Sequence, residues 1–243
     1  DGISTLSNPL LSDDTKYMHI ALEQFGISIK QKDHAFIVSG TGGKIKCPSN
    51  EISIGLAGTT MRFLTTFSAL APGTTQLTGE QRMLERPILD LLNALNQMGV
   101  NARSLKNNGC PPLEIPGGGI SGGQITLAGD KSSQYLTSVL LCAPYFKSDT
   151  TINIIGELTS KPYADITLDI MQTFGVTVEN KNYAKFHVSS DQTYSPMDYT
   201  VEADWSSASY FLAAAAITQG EMTLTGLNPG SVQGDASFLN VLE

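Results

Sequence analysis

The chain has 243 residues, 41% of them hydrophobic, and a formal net charge of −8. Charged residues make up only 16%, against about 25% in a typical soluble protein, and that balance excludes a disordered chain. The acidic balance argues against a nucleic-acid partner or an anionic membrane surface, and no apolar run reaches the roughly 18 residues of a membrane span.

The opening, DGISTLSNPLLSDD, is polar and acidic and does not read as a signal peptide. It predicts the strand-and-loop part of a larger unit. DDTKYMHIALEQFGISI then reads as a helix that ends at Gly26, with Ile27 opening a strand. The glycine-rich stretch SGTGGKIKCPSNE reads as β-turns, because it has no strand-to-helix fingerprint of a phosphate cradle. GTTMRFLTTFSALAPGTTQLTGE predicts a helix, a turn and a short strand, with Thr59 and Thr60 as hydroxyl caps at the helix start. RPILDLLNALNQMGVNA predicts a second helix. Ile88, Leu91, Leu92, Leu95 and Met98 recur at helical spacing on it, and Gly99 is expected to end it.

IPGGGISGGQITLAG is again read as turns. KSSQYLTSVLLCAPYFKSDTTINIIGE repeats the helix–turn–strand pattern, with Ser132 and Ser133 at the cap. KPYADITLDIMQTFGVTV repeats the second helix and ends at Gly175. DWSSASYFLAAAAITQGEMTLTGL begins the pattern once more, capped by Ser206 and Ser207 and followed by a short strand. GDASFLNVLE matches only the opening of a second helix, with Phe238, Leu239 and Leu242 and no closing glycine. The unit is thus helix, strand, loop, helix, strand and hairpin. Starting and stopping in mid-pattern, the chain is expected to be a piece of a longer protein.

The three cysteines, Cys47, Cys110 and Cys142, have no metal-ligand spacing and read as reduced thiols in a cytoplasm-like compartment. His19, His34 and His187 are scattered and form neither metal nor triad spacing, so no metal is expected.

GLAGTTMRF, LTGEQRMLERPI, KSSQYLTSVLL, ELTSKPYADITLDIMQTFGV, EADWSSASYFLAAAA and QGDASF together resemble the 5-enolpyruvylshikimate-3-phosphate synthase family. The likeness runs along essentially the whole chain. It implies an α/β (α+β) enolpyruvyl transferase fold: repeated βαβαββ units with mixed sheets, here an incomplete two-domain inside-out α/β barrel. Residues 1–202 would form the substrate-binding domain, lacking its N-terminal strand and helix, and 203–243 would start the second domain. The implied reaction moves the enolpyruvyl group of phosphoenolpyruvate to the 5-hydroxyl of shikimate 3-phosphate and releases phosphate. It uses no cofactor, takes place in a cleft between domains, and is implied to be the work of a cytoplasmic monomer at full length.

The resemblance assigns phosphoenolpyruvate to Gly58, Arg82 and Gln134, and shikimate 3-phosphate to Ser132, Ser133, Gln134, Ser160 and Tyr163. The types suit the task. A helix-start glycine lets an anion approach, a guanidinium forks onto carboxylate or phosphate, and hydroxyls at helix N-termini bind phosphate with the dipole. Arg86 is read as the partner of a structural ion pair, Arg62 as mainly structural, and Lys161-Pro162 as turn chemistry. Two positions depart from the family pattern: Leu56 stands where an Asn is usual, and Phe63 where a Pro is usual. The family's N-terminal Lys-Ser and Arg, and its acid and base, have no counterpart here. Asp165, Asp204 and Asp235 lie outside that catalytic context, so no acid or base is assigned and the chain alone is expected to be inactive. One alternative is the sister transferase acting on UDP-N-acetylglucosamine, which would carry a reactive Cys where this chain reads GEQRMLERP. The other is a non-catalytic binding module on the same fold.

Overall fold

The computed structural model describes residues 1–242. The chain opens with β1 (Gly2–Ser7), α1 (Asp13–Gln24), β2 (Ser28–Lys32) and β3 (Ala35–Gly40). The second unit runs β4 (Ile52–Ser53), α2 (Gly58–Ser68), β5 (Thr75–Thr78), α3 (Leu89–Gln97), β6 (Arg103–Ser104) and β7 (Leu113–Ile115). The third runs β8 (Gly123–Ala128), α4 (Ser133–Cys142), β9 (Thr150–Ile155), α5 (Lys161–Thr173), β10 (Glu179–Lys181) and β11 (Lys185–Val188). β12 (Asp198–Thr200), α6 (Trp205–Thr218) and α7 (Phe238–Leu242) follow.

The repeat read in the sequence is therefore βαβαββ, and the sheets have the same order. The second is β4-β5-β7-β6, the third β8-β9-β11-β10. In each, the first pair is parallel and the others are antiparallel. The first sheet is β12-β1-β3-β2, so β12 takes beside β1 the parallel place that β4 and β8 hold in theirs. Among the described residues the three sheets remain separate and no closed barrel forms.

Helices α1, α3 and α5 end by one mechanism. Gly26, Gly99 and Gly175 stand at φ +87°, +81° and +90°, a region closed to most side chains. The following N–H then reaches back five residues: Ile27 to the Leu22 carbonyl, Val100 to Leu95 and Val176 to Met171. The expected apolar face of α3 is fully buried, with Ile88, Leu91, Leu92, Leu95 and Met98 all at 2% exposure or less.

The sheets lie outside and α2 and α4 inside, packed on each other. Met61, Leu64, Leu136, Val139 and Leu140 join Phe25, Phe186 and Ile152 in one core. Each such side chain contributes roughly 1.5–3 kcal/mol by leaving water.

The hydroxyl pairs cap as expected only at α4, where Ser132 accepts from the Gln134 N–H. α2 has Ala57 at its cap position and no side-chain cap, while Thr60 instead donates to the Asp14 carbonyl. α6 is capped by Asp204, which accepts from the Ser206 and Ser207 N–H groups. The strand expected after α6 does not form: EMTLTGL has no neighbouring strand to pair its backbone groups. α6 is apolar, yet only Trp205 and Ala208 are buried, and Ile217 is 83% exposed.

Candidate functional site

Parallel strands end at one edge of their sheet, and the loops leaving those ends carry most of the candidate residues. Gly58 follows β4, Arg82 and Arg86 follow β5, Ser132 follows β8 and Ser160 follows β9. Packing of α2 on α4 and of α4 on α5 brings these loops around one cleft of about 710 Å³.

On one side lies the start of α2. With no side chain capping it, its first N–H groups are left to a ligand or to water, at the positive end of the helix dipole. A Cβ on Gly58 would run into Arg86 Nη1 and would lie 2.8 Å from Arg62 Nη1. The glycine lets two guanidinium groups pack onto the start of α2, and a side chain there would displace them. Arg62 Nη1 donates to the Gly58 carbonyl at 2.8 Å. Arg62 is 7% exposed, and its Nε has no partner. Burial, and then the neighbouring Arg86 charge, pull its pKa below the ordinary arginine value. Neither arginine has a carboxylate within 4.0 Å among the described residues, so the structural ion pair expected at Arg86 is absent.

On the other side lies the start of α4. Ser132 Oγ accepts from the Gln134 N–H at 3.2 Å and keeps its own O–H to donate. Ser133 is 8% exposed. Gln134 Nε2 donates to Thr59 Oγ1 at 3.0 Å. Tyr135 is 6% exposed and donates from its hydroxyl to the Pro87 carbonyl at 2.9 Å. Ser160 precedes α5 in the left-handed region, at φ +56°, and makes no side-chain cap. Holding a serine there costs about 1 kcal/mol or more, a strain typical of functional positions. Tyr163 lines the same cleft and is 58% exposed. Lys131 adds a third cation, against the single carboxylate of Asp90.

Of the residues expected from the sequence, Gly58 lies beneath the two guanidiniums at the cleft, and Ser132, Ser133, Gln134, Ser160 and Tyr163 line it. Arg82 does not; it is exposed and precedes the 3-10 turn Met83–Glu85. Met83 anchors that turn in the core, and one turn later the chain delivers Arg86 to the cleft instead. Arg86, the Tyr135 hydroxyl and Lys131 were not singled out by sequence reasoning as cleft residues. The available signal for Arg86 was its place directly before Pro87 at the helix entry.

Leu56 is 50% exposed, while Phe63 lines an apolar groove beside the cleft with Leu141, Ile166 and Ile170. α2 runs unbroken through Phe63. The three acids left unassigned have structural partners: Asp165 accepts from the Tyr183 hydroxyl, Asp204 caps α6, and Asp235 accepts from Ser206. Lys161 pairs with Glu157 at 2.8 Å, and Pro162 sits in the first turn of α5. Among the described residues no group of three His, Cys, Asp or Glu side chains could hold a metal.

The fold is thus of the mixed α/β class, built of repeated βαβαββ units whose strand ends gather guanidiniums, an ammonium and serine hydroxyls around one cleft. The model of the family EPSP synthase (3-phosphoshikimate 1-carboxyvinyltransferase) matches residues 1–243, and the chain belongs to that family. It is similar to the 3-phosphoshikimate 1-carboxyvinyltransferases of Shewanella baltica (strain OS155) and Shewanella denitrificans, at 49% and 48% identity over 246 residues. In both cases all of this chain aligns with 58% of the relative, so it spans little more than half their length. Its fold matches the EPSP synthase of Acinetobacter baumannii with a TM-score of 0.81 at 24% identity, over 94% of this chain and 52% of that one.

Proposed function

We propose that this chain supplies a substrate-binding part of an enolpyruvyl transferase that joins phosphoenolpyruvate to the 5-hydroxyl of shikimate 3-phosphate and releases phosphate. The observation that carries the reading is the pair of unpaired arginines, Arg62 and Arg86, packed on Gly58 at the uncapped start of α2. Buried or crowded guanidiniums without carboxylates favour an anionic ligand that completes them. In this reading phosphoenolpyruvate is held by Arg86, the α2 N-terminus and Gln134, with Arg86 in the role first expected of Arg82. Shikimate 3-phosphate is held by the hydroxyls of Ser132, Ser133 and Ser160, with Gln134 and Tyr163 beside them. Gln134 touches both because its amide already spans from α4 to Thr59 on α2.

The binding residues orient the two substrates, and their charges neutralise phosphate and carboxylate on approach. No acid or base is assigned within this chain. Residues 203–243 would begin a second domain, a reading supported by the exposure of the apolar α6. A cytoplasmic setting would keep Cys47, Cys110 and Cys142 reduced, as they are here.

The test is thermal denaturation of the chain with millimolar shikimate 3-phosphate. A rise in midpoint that Ser132→Ala and Ser160→Ala reduce is expected. An unmoved midpoint contradicts the reading.

A further inference from the structure

Tyr135 has an unusual position for a phenol. Its ring lies in the core, where phenylalanine would fill the same space, and the hydroxyl matters only through its bonds. It donates to the Pro87 carbonyl at 2.9 Å.

Pro87 follows Arg86 directly, and its ring locks φ, so fixing its carbonyl fixes the backbone that leaves Arg86. On the other side the Arg86 N–H is held by the Met83 carbonyl at 3.1 Å. The Arg86 backbone is thus clamped at both ends, and one clamp is a side chain of α4.

Arg62 stands beside that clamp, against Gly58. Its guanidinium holds the Gly58 carbonyl at 2.8 Å, and its own carbonyl accepts from Ser138 Oγ at 2.7 Å. Burying an unpaired guanidinium is unfavourable by itself, and an apolar side chain would serve packing as well. Its bonds join the start of α2 to α4, and its guanidinium shares with that of Arg86 the space over Gly58.

Building on the function proposed above, we propose that Tyr135 is a positioning residue: it braces the Arg86–Pro87 backbone and so sets where the Arg86 guanidinium meets phosphoenolpyruvate. The brace acts on one substrate. The hydroxyls of Ser132, Ser133 and Ser160 do not depend on Pro87.

The experiment compares Tyr135→Phe with the unmodified chain by calorimetric titration of phosphoenolpyruvate and, separately, shikimate 3-phosphate. Loss of one bond should weaken phosphoenolpyruvate about five- to tenfold and leave shikimate 3-phosphate within about twofold. In an Arg86→Ala background the same substitution should change phosphoenolpyruvate affinity by less than about twofold, because the braced group is gone. Equal weakening of both ligands, or an undiminished effect without Arg86, overturns the proposal. A ligand-free measurement decides it independently. The 15N relaxation of the Arg86 side chain should show lower order in Tyr135→Phe, and an unchanged order parameter overturns the brace. If the unmodified chain fails to bind phosphoenolpyruvate, the proposed function loses support, while the relaxation measurement still decides the role of Tyr135.

Discussion

Gln134 Nε2 donates to Thr59 Oγ1 at 3.0 Å, across the space between the first turns of α4 and α2. This bond ties the side of the cleft rich in hydroxyls to the side rich in guanidiniums. Thr59→Val keeps the shape and removes the acceptor. It should cost about 1 kcal/mol, or a fall of about 2–4 °C in Tm for a chain of this size. Calorimetric titration should also show weaker binding of both proposed substrates. Loss of stability with unchanged affinities would contradict a shared role for the bond.

The two arginines of one loop should behave differently. Arg82 is exposed and has no carboxylate partner among the described residues, so Arg82→Ala should stay within about 0.5 kcal/mol of the unmodified stability and leave phosphoenolpyruvate affinity unchanged. Arg86→Ala should lower that affinity by about tenfold or more. Equal losses would return Arg82 to the site.

Gly58→Ala tests the close packing at the start of α2. The added methyl meets the far ends of Arg86 and Arg62, which can swing away, so the fold should survive. The arginines would then leave their places. The expected result is a small change in Tm with a large loss of phosphoenolpyruvate affinity, read by denaturation and titration on the same sample. Retained affinity would mean that the packing has no part in binding.

The alkaline limb of stability should depend on Cys142. Burial pushes its thiol from 9.0 up to about 12, and burial also raises Tyr194 beside it. A group whose pKa is raised on folding stabilises the fold fully below its unfolded value. That contribution is lost as pH rises above about 9 toward 12, because the unfolded chain then gives up the proton more readily. Urea midpoints measured from pH 7 to 11 should fall with rising pH, and fall less steeply in Cys142→Ala. The same burial predicts that thiol reagents at pH 8 modify the partly exposed Cys47 before Cys142. Equal slopes, or equal labelling, would contradict this.

What the sequence made legible was what a few neighbouring residues decide. Gly26, Gly99 and Gly175 announced three helix ends because the left-handed turn after a helix is a local demand. The apolar period of α3 announced its buried face for the same reason. The caps expected at Thr59-Thr60 and Ser206-Ser207 do not form, because Thr60 turns to α1 and Asp204 takes the cap position just ahead of Trp205. Arg82 and Arg86 are four residues apart in one loop. Which of them reaches the cleft depends on a 3-10 turn anchored by Met83, and tertiary packing decides that. Ser132, Ser160 and Gly58 were expected in one site only through the family resemblance, since no local pattern joins them. The bond from Tyr135 to Pro87, 48 residues apart, could not.

The pairing of β12 with β1 bears on how the molecule folds. Thr5 lies opposite Asp198 and Ser7 opposite Thr200, whereas β4 meets β5 and β8 meets β9 across a single intervening helix. Contacts between distant segments carry the larger loop-closure entropy and slow folding. The second and third sheets can each assemble from one continuous stretch of chain, but the first sheet gains its fourth strand only after the strands of both other sheets have been laid down. During synthesis or refolding β1 therefore waits with one edge bare, a template for an unwanted strand from another molecule until β12 arrives.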